Sequence, residues 1–313
     1  TFQKLFFLGR HVKKDKKTLD ILAVILDVGL TIDNSSVFQS QVLDNLYSLK
    51  KHGYSIGILC VYQDKKRLLD LVHKSFKKEH VKLFFQKDKG LLKNLLFMSR
   101  RLRQIQTHNK IFNAYVRGIW GGLSILMANP FSPIQYIYDV RGDLESEMKA
   151  TNTNKFKLMI YLVLEKLLIS KSKHISVVSS KLKKLISKKI KKDKKIYVIP
   201  SCVISKNFES SKNEKENCKK EFGISDRDLI LLYSGGLSHY QKVPEMLSLW
   251  KRIDKDLEGL KFIILSNTDP HSLPYTLSET LKNNPSFRVL SFEREKSIKI
   301  LSIADIAFLL RDN

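Results

Sequence analysis

The sequence predicts an α/β protein with two tandem domains, each built on a mostly parallel β-sheet that helices cover. Its 313 residues exceed one ordinary domain, and their 43% apolar content is typical of a globular protein. Short apolar runs alternate with helix-like segments, which is the pattern of repeated β-α units. A polar, charged stretch at 205–223 interrupts the alternation and is the best linker candidate. We therefore predict one domain over 1–198 and a second over 199–313.

The first series of elements begins with a strand at 18–29 and a helix at 35–54 that ends at Gly53, a typical C-cap. Further helices are predicted at 66–79 and 89–106. The remaining strands are short and apolar, and we predict them at 54–62, 81–86, 111–116, 134–140 and 174–180. A further short apolar run ends at Pro200. Strands and helices in this order predict a parallel sheet with both faces covered.

The second series repeats this pattern. It starts with an apolar strand at 228–234 and a helix at 244–257. Strands and helices then alternate at 260–267, 275–283, 287–292, 295–304 and 305–310. The second domain is therefore predicted to be Rossmann-like as well, and its ligands should collect at the carboxyl ends of its strands.

Positive charge is concentrated in the first two hundred residues. The net charge is +25; residues 1–150 hold 25 Lys and Arg against 13 Asp and Glu, and residues 151–200 hold 14 against 2. Residues 201–313 are nearly balanced, with 17 against 16. This distribution predicts an anionic partner: a nucleic acid, an anionic membrane face or a phosphorylated substrate. The basic segment 181–195 fits an amphipathic helix on such a membrane, and equally a helix that faces its own domain.

The composition favours a cytoplasmic protein. The longest apolar runs, such as 21–30, are too short to span a bilayer, and no segment has the pattern of a signal peptide. The three cysteines are scattered without a CxxC pair, which favours a reducing compartment and disfavours a structural zinc site. We expect a cytoplasmic location, with peripheral attachment at the inner membrane face as a further expectation.

The strand DLILLYS leads into an unusual turn, GGLSHYQKVPEM. Gly235 and Gly236 permit a sharp turn and leave backbone amides accessible to a ligand. Lys242 and Pro244 lie at the start of the next helix, whose first amides and dipole favour an anion. We predict that Gly235, Gly236 and Lys242 bind a phosphate. The turn has neither the GK[ST] of a P-loop nor a GxGxxG fingerprint, so it supports neither an ATPase nor a dehydrogenase.

Several segments, in order along the chain, resemble glycosyltransferases of family 4, which have the GT-B fold. The turn after DLILLYS is similar to the Gly-Arg-Leu…Lys-Gly loop with which those enzymes receive the nucleotide-sugar diphosphate. This resemblance implies that the diphosphate is bound by Gly235, Gly236, Ser238 and Lys242. IFNAYVRG and IQYIYDVRGDLESE resemble the ARG and YD.RG..E segments of capsule-type members. HISVVSSKL, KIYVIPSCV and IADIAFLLRDN resemble their VS..L, K..VIPNGVD and ADI…LR.N segments. The resemblance extends over nearly the whole chain and implies two GT-B domains.

The resemblance also implies a function. The expected activity is that of a hexosyl-type glycosyltransferase of bacterial cell-surface polysaccharide synthesis. A nucleotide-diphosphate sugar would bind the second domain and a glycan or lipid-linked acceptor the first. Closure of the cleft between them would exclude water, and transfer would retain the anomeric configuration. No cofactor and no bound metal are implied; we interpret the Asp-x-Asp pairs at 226–228 and 254–256 as solvated surface.

Candidate site residues in the first domain follow predicted strands. Arg141 and Asp143 are the candidate catalytic residues. Arg141 stands where the family has a histidine, and it would either bind a phosphate or pair with Glu145. In the second domain the family's phosphate-loop arginine falls on Gly236, which leaves Lys242 as the main cation. The remaining cleft candidates are Asp33, Asn34, Arg117 and Arg311.

Three alternatives stay open. A nucleic-acid-binding protein would explain the charge, although the chain has no recognisable nucleic-acid motif and Lys heavily outnumbers Arg. A GT-B relative, such as a sugar-nucleotide epimerase, would share the diphosphate loop. Family members continue beyond the LR.N segment with a Glu-rich segment that holds the donor, whereas this chain stops at Asn313. We therefore expect a truncated second domain, and an inactive truncated transferase is the third alternative.

Overall fold

The computed structural model divides the chain into two compact units, Thr1–Val203 and Ile204–Asn313. Each unit contains a parallel β-sheet with helices on both faces, so the predicted α/β fold with two Rossmann-like domains is confirmed. The assignment of an acceptor side to 1–198 and a donor side to 199–313 stays a prediction. The structure describes residues 18–26, 38–76, 80–109, 111–131, 133–151, 153–190, 194–201, 209–237, 241–266, 277, 279–280, 284–292 and 294–310.

The first sheet has the strand order β3-β2-β1-β4-β5-β6-β7 over the described residues, and every neighbouring pair is parallel. The strands are β1 (Leu19–Ile25), β2 (Ile56–Tyr62), β3 (Lys82–Lys87), β4 (Ile111–Arg117), β5 (Tyr136–Val140), β6 (His174–Val177) and β7 (Ile196–Val198). The order reverses at β1, which pairs with both β2 and β4. The carboxyl ends of β1 and β4 therefore flank the switch point at which such sheets bind ligands.

Helices cover both faces of this sheet. On one face pack a π-helical turn (Gln39–Leu43), its continuation α1 (Asp44–Lys51), and α2 (Lys65–Phe76). On the other face pack α3 (Leu91–Asn109), α4 (Ile119–Ala128), α6 (Lys155–Lys171) and α7 (Ser180–Lys189), while α5 (Leu144–Ala150) packs on α6. Because both faces are covered, the central strands β1 and β2 are nearly continuous apolar runs rather than alternating sequences.

Helix α4 packs between α3 and α6 in the second of these layers. Its contact with α6 depends on Gly122, where an added Cβ would lie 2.5 Å from Leu168 Cδ2. Leu168 is fully buried, so it has no free space into which to move. The absence of a side chain at Gly122 thus sets the close approach of the two helices.

The second unit has the strand order β10-β9-β8-β11, and its described strands are also parallel. They are β8 (Leu229–Ser234), β9 (Leu260–Leu265), β10 (Phe287–Leu290) and β11 (Ile306–Ala307). Helix α9 (Val243–Ile253) covers one face, where Trp250 contacts the rings of Phe262 and Phe287. Helices α8 (Lys212–Glu221) and α10 (Arg294–Leu301) cover the other face.

The predicted linker at 205–223 is wrong over its second half, because α8 occupies it. A capping box starts this helix: the Ser211 hydroxyl accepts from the Glu214 amide, and the Glu214 carboxylate accepts from the Ser211 amide. Cys218 is buried against the second sheet, which docks the helix. One buried residue among polar neighbours is too weak a pattern to predict a helix, although the Ser-x-x-Glu signal was present.

Besides α8, three further helices, α4, α5 and α6, were not predicted at all. The basic helix predicted at 181–195 exists as α7, but its apolar residues Leu182 and Ile186 are buried in the core of the first unit. This packing favours the alternative of a domain-facing helix with its lysines in water. The helix predicted at 275–283 falls mainly outside the described residues. Among the helices that are described, none combines the length and hydropathy needed to cross a bilayer.

Candidate functional site

Gly235 and Gly236 follow β8, and Gly236 is exposed. An added Cβ at Gly236 would meet no atom of the described residues beyond its chain neighbours within 4 Å. At Gly235, by contrast, a Cβ would lie 2.6 Å from Tyr233 Oη. Tyr233 is buried, and its hydroxyl donates a 2.7 Å hydrogen bond to the Gly236 carbonyl. Tyr233 thereby fixes the turn, and it requires glycine at position 235.

Lys242 lies at the other end of this turn, as the N-cap of α9, and has a left-handed backbone with φ 54° and ψ 36°. It is the one described non-glycine residue with positive φ. This conformation costs an L-residue about 1–2 kcal/mol. Strained backbone of this kind is concentrated at functional sites, so it supports a binding role for the turn.

The start of α9 carries the positive end of the helix dipole. The first N–H groups of a helix lack carbonyl partners within it, and Pro244 in the first turn has no N–H to offer. Lys242 Nζ adds a full positive charge and lies 3.3 Å from Glu245 Oε1, with both side chains partly exposed. A diphosphate could displace Glu245, since exposed ion pairs contribute about 1 kcal/mol at most. The geometry of this turn suits an anion.

Four predicted site residues, Asp33, Asn34, Ser238 and Arg311, lie outside the described residues. Of the predicted diphosphate set, Gly235, Gly236 and Lys242 are described and flank one β8-to-α9 connection. The first-domain candidates lie on a different unit and are considered next by themselves.

A buried polar cluster lies at the carboxyl end of β5. Asp139 is 4% exposed and accepts hydrogen bonds from Tyr115 Oη at 2.5 Å, Ser176 Oγ at 2.7 Å and Arg141 Nε at 2.6 Å. Arg141 also donates from Nη2 to Tyr115 Oη at 3.3 Å and from Nη1 to Ser201 Oγ at 3.4 Å. Tyr115, Asp139 and Ser176 lie on β4, β5 and β6, and the parallel pairing of these strands brings the three side chains together.

The charges of this cluster are mutually compensated. Burial alone would lower the pKa of Arg141, but the Asp139 carboxylate and Tyr115 outweigh it, and the pKa is raised. Burial and the nearby Asp139 carboxylate raise the pKa of Tyr115, so the phenol keeps its proton. The Arg141 side chain is 14% exposed and is held by the carboxylate through Nε. It is therefore a pre-oriented hydrogen-bond donor rather than a free positive charge.

Of the two alternatives for Arg141, the one that pairs it with Glu145 is wrong. Arg141 pairs with Asp139, and Glu145 instead pairs with Lys149, four residues along α5. Arg141 pairs with the nearer carboxylate, because Asp139 is buried at the same strand end, whereas Glu145 lies on the partly exposed surface of a helix. Sequence reasoning missed Asp139, although a carboxylate within an apolar strand and two residues before an arginine is a recognisable signal.

Asp143 and Arg117 are held by local contacts. Asp143 is the N-cap of α5 and accepts from Ser146 Oγ at 2.6 Å and from Lys189 Nζ at 3.3 Å. Burial acts to raise the pKa of Asp143, but these hydrogen bonds outweigh it and lower the pKa. Arg117 ends β4, is buried and donates to Gln41 Oε1. Arg117 and Arg141 thus belong to neighbouring strand ends at the carboxyl edge of the first sheet, and their catalytic roles stay predictions.

Two parallel Rossmann-like units in one chain define the GT-B class of fold, and comparison with solved structures agrees. HepE of Anabaena in complex with UDP-glucose matches with a TM-score of 0.66 at 9% identity, over 92% of this chain and 72% of that one. A glycosyltransferase from Rickettsia africae ESF-5 matches with a TM-score of 0.64 at 16% identity, over 94% and 73%.

An enzyme of another activity has a similar structure. UDP-GlcNAc 2-epimerase from Neisseria meningitidis bound to UDP-GlcNAc matches with a TM-score of 0.59 at 15% identity, over 92% of this chain and 75% of that one. No protein-family model and no curated protein matches the chain. At these identities the likeness shows the GT-B fold and nothing finer.

Proposed function

We propose that the chain is a glycosyltransferase that uses a nucleotide-diphosphate sugar. The observation that carries the proposal is an exposed Gly236 backbone at the end of β8 together with a strained Lys242 at the start of α9. Accessible backbone, a cation and a helix N-terminus favour an anionic ligand such as a phosphate group. A diphosphate is such a group, and it is also the leaving group when a nucleotide sugar transfers its sugar.

The chemistry requires charge stabilisation at one point. When the bond between sugar and diphosphate breaks, negative charge develops on the leaving oxygen. Lys242 and the amides at the start of α9 are fixed before the reaction and would offset that charge without reorganising. Gly235 and Ser238 are proposed to complete the diphosphate site. No step in this scheme requires a metal ion or an additional cofactor.

The first unit is proposed to bind the acceptor. Arg141 would donate hydrogen bonds to it, since its guanidinium is already oriented by Asp139 and Tyr115. Asp143, Arg117, Asp33 and Asn34 are proposed as further groups of the acceptor side, and Arg311 as a further group of the donor side. We propose a saccharide or lipid-linked acceptor in bacterial surface-polysaccharide synthesis, transfer of a hexosyl group with retention, and membership of glycosyltransferase family 4. The resemblance of motifs in order along the chain supports these finer points.

Thermal unfolding tests the proposal against its nucleic-acid rival. The chain is heated alone and with UDP-, GDP- and ADP-sugars, and in parallel with duplex DNA. One class of nucleotide sugar should raise the unfolding temperature, because a ligand that binds only the folded state stabilises it. Stabilisation by DNA alone would contradict the proposal.

A sugar-nucleotide epimerase is the second candidate, because an epimerase with bound UDP-GlcNAc shares the fold. Proton NMR separates the two activities. An epimerase would convert the nucleotide sugar into its epimer at one sugar carbon, with no net release of UDP. A transferase given a saccharide acceptor would release free UDP and form a new glycosidic bond. Inversion on the intact nucleotide sugar, with no UDP released, would favour the epimerase.

A further inference from the structure

The outward face of α6 is apolar although it is exposed. Phe156, Met159, Ile160, Val163 and Leu167 are 67%, 55%, 40%, 61% and 39% exposed. At 3.6 residues per turn their spacing puts them on one side of the helix. We name these five residues the α6 stripe. The opposite side of α6 is buried against the sheet, so the helix is apolar on two sides, and only one of them is covered.

Lysines border the α6 stripe along both edges. On the helical wheel Lys155 and Lys166 lie beside one edge, and Lys157 and Lys171 lie beside the other; all four are exposed. Glu165 is the one acidic residue of α6, and it is buried and accepts a 3.0 Å hydrogen bond from Lys189. The exposed surface of α6 therefore carries positive charges and no negative ones.

Neighbouring helices extend this surface. Because α4 packs between α3 and α6, the outer sides of all three belong to one layer. On α3, Leu92 is 77% exposed, and Phe131, just after α4, is 73% exposed. The Arg103 guanidinium lies 4.8 Å from the centre of the Phe131 ring. Large apolar side chains next to cations thus recur across the layer.

We propose that the α6 stripe docks on an anionic lipid bilayer. Its five apolar side chains would enter the boundary between headgroups and acyl chains, and the four bordering lysines would contact lipid phosphates. A second copy of this chain fits less well, because a two-fold contact through the stripe would oppose one set of lysines to another. A nucleic acid fits less well too, because the middle of the stripe offers no cation to a phosphate.

Docking would also orient the first sheet. Helix α6 leads from the carboxyl edge of the sheet back to the start of β6, so Phe156 and Met159 lie toward the edge that carries Arg141 and Asp143. The bilayer would then lie near the proposed acceptor side, which matches a lipid-linked acceptor. This last step rests on the proposed function; the docking itself does not.

Vesicle flotation tests the docking. The chain is mixed with vesicles of phosphatidylcholine alone, or with anionic vesicles of phosphatidylcholine and phosphatidylglycerol in equal parts. One variant, Phe156→Gln with Val163→Gln, makes the stripe polar, and its control is Leu249→Gln with Leu257→Gln, two exposed leucines of the second unit. The charge variant replaces Lys155, Lys157, Lys166 and Lys171 with Gln, and its control replaces the exposed Lys212, Lys215, Lys220 and Lys251 with Gln.

Binding is expected to anionic vesicles and to be weak on phosphatidylcholine alone. The charge variant should lose about fivefold in partitioning for each lysine. The polar-stripe variant should lose about a hundredfold, while both controls bind like the unaltered chain. Equal loss of vesicle binding in a variant and its control would overturn the docking site. A stripe variant that binds vesicles unchanged, and only shifts the chain from dimer to monomer in analytical ultracentrifugation, would overturn it as well. UDP binding, measured without vesicles, reports separately on the proposed function.

Discussion

Replacing Lys242 separates the two features of this residue, its left-handed backbone and its charge. Lys242→Gly removes both the backbone strain and the amine, whereas Lys242→Ala removes the amine and keeps the strain. Both variants lose the partly exposed ion pair with Glu245, so that loss cancels when they are compared. The difference in stability between the two variants therefore isolates the strain, and the loss of binding that both show relative to the unaltered chain reports on the amine.

The left-handed conformation costs a residue with a side chain about 1–2 kcal/mol, and glycine loses about 0.4–1 kcal/mol more chain entropy on folding. The Gly variant should therefore be more stable than the Ala variant by about 1 kcal/mol. For a unit of this size that corresponds to roughly 3–5 °C in the unfolding temperature. Differential scanning calorimetry measures this difference.

Binding should respond in the same way in both variants. A hydrogen bond to a charged group contributes about 1.5–3 kcal/mol, so UDP affinity should fall about 10- to 150-fold. Isothermal titration calorimetry with UDP gives the dissociation constants. A Gly variant that binds UDP as tightly as the unaltered chain would refute the role of the amine. Equal stability of the Gly and Ala variants would refute the strain.

Three other changes have defined outcomes. Gly235→Ala places a Cβ 2.6 Å from the buried Tyr233 hydroxyl, so urea denaturation should show the second unit destabilised by about 1–3 kcal/mol. In a Tyr233→Phe background this loss should be smaller, and an undiminished loss would contradict the stated clash. Asp139→Asn leaves Arg141 without its buried counter-charge and should lower the free energy of unfolding by about 3–5 kcal/mol. Ser176→Ala removes only a hydrogen bond to Asp139 and should lower it by about 1 kcal/mol. Similar losses in the two variants would exclude the ion pair as the cause. The pKa of Asp143 in the folded chain lies below its ordinary value of 3.8, so the stability that its carboxylate contributes is present above that pH and is lost as pH falls. Asp143→Asn should therefore make stability depend less on pH in the acid range. An unchanged dependence would contradict this.

The strands were predictable because buried parallel strands are short apolar runs bounded by polar segments. The runs around Ile21–Ile25 and Leu229–Leu232 were interpreted correctly on that ground. The amphipathic helices α1, α2, α3 and α9 were also predictable, since their apolar residues recur with helical spacing. The glycine pair after β8 indicated a binding turn; Gly236 is exposed, and its role in binding stays a prediction.

The features that escaped prediction have physical reasons. Helix α6 is apolar on two sides, so the contrast between faces that marks an amphipathic helix is lost. Two glycines, Gly121 and Gly122, hid α4, because glycine is an unfavourable helix residue unless a neighbouring helix needs the space. The left-handed backbone of Lys242 has no sequence signature, since lysine has no preference for that conformation. The partners of Arg141 depended on the register of three strands, which the sequence pattern does not specify.

A crystal structure of the chain with UDP tests the central claim most directly. The account predicts diphosphate oxygens within about 3.2 Å of the Gly236 amide and of Lys242 Nζ, with Glu245 displaced from the lysine. A nucleotide bound elsewhere, or a β8-to-α9 turn that remains empty while UDP occupies another site, would contradict it.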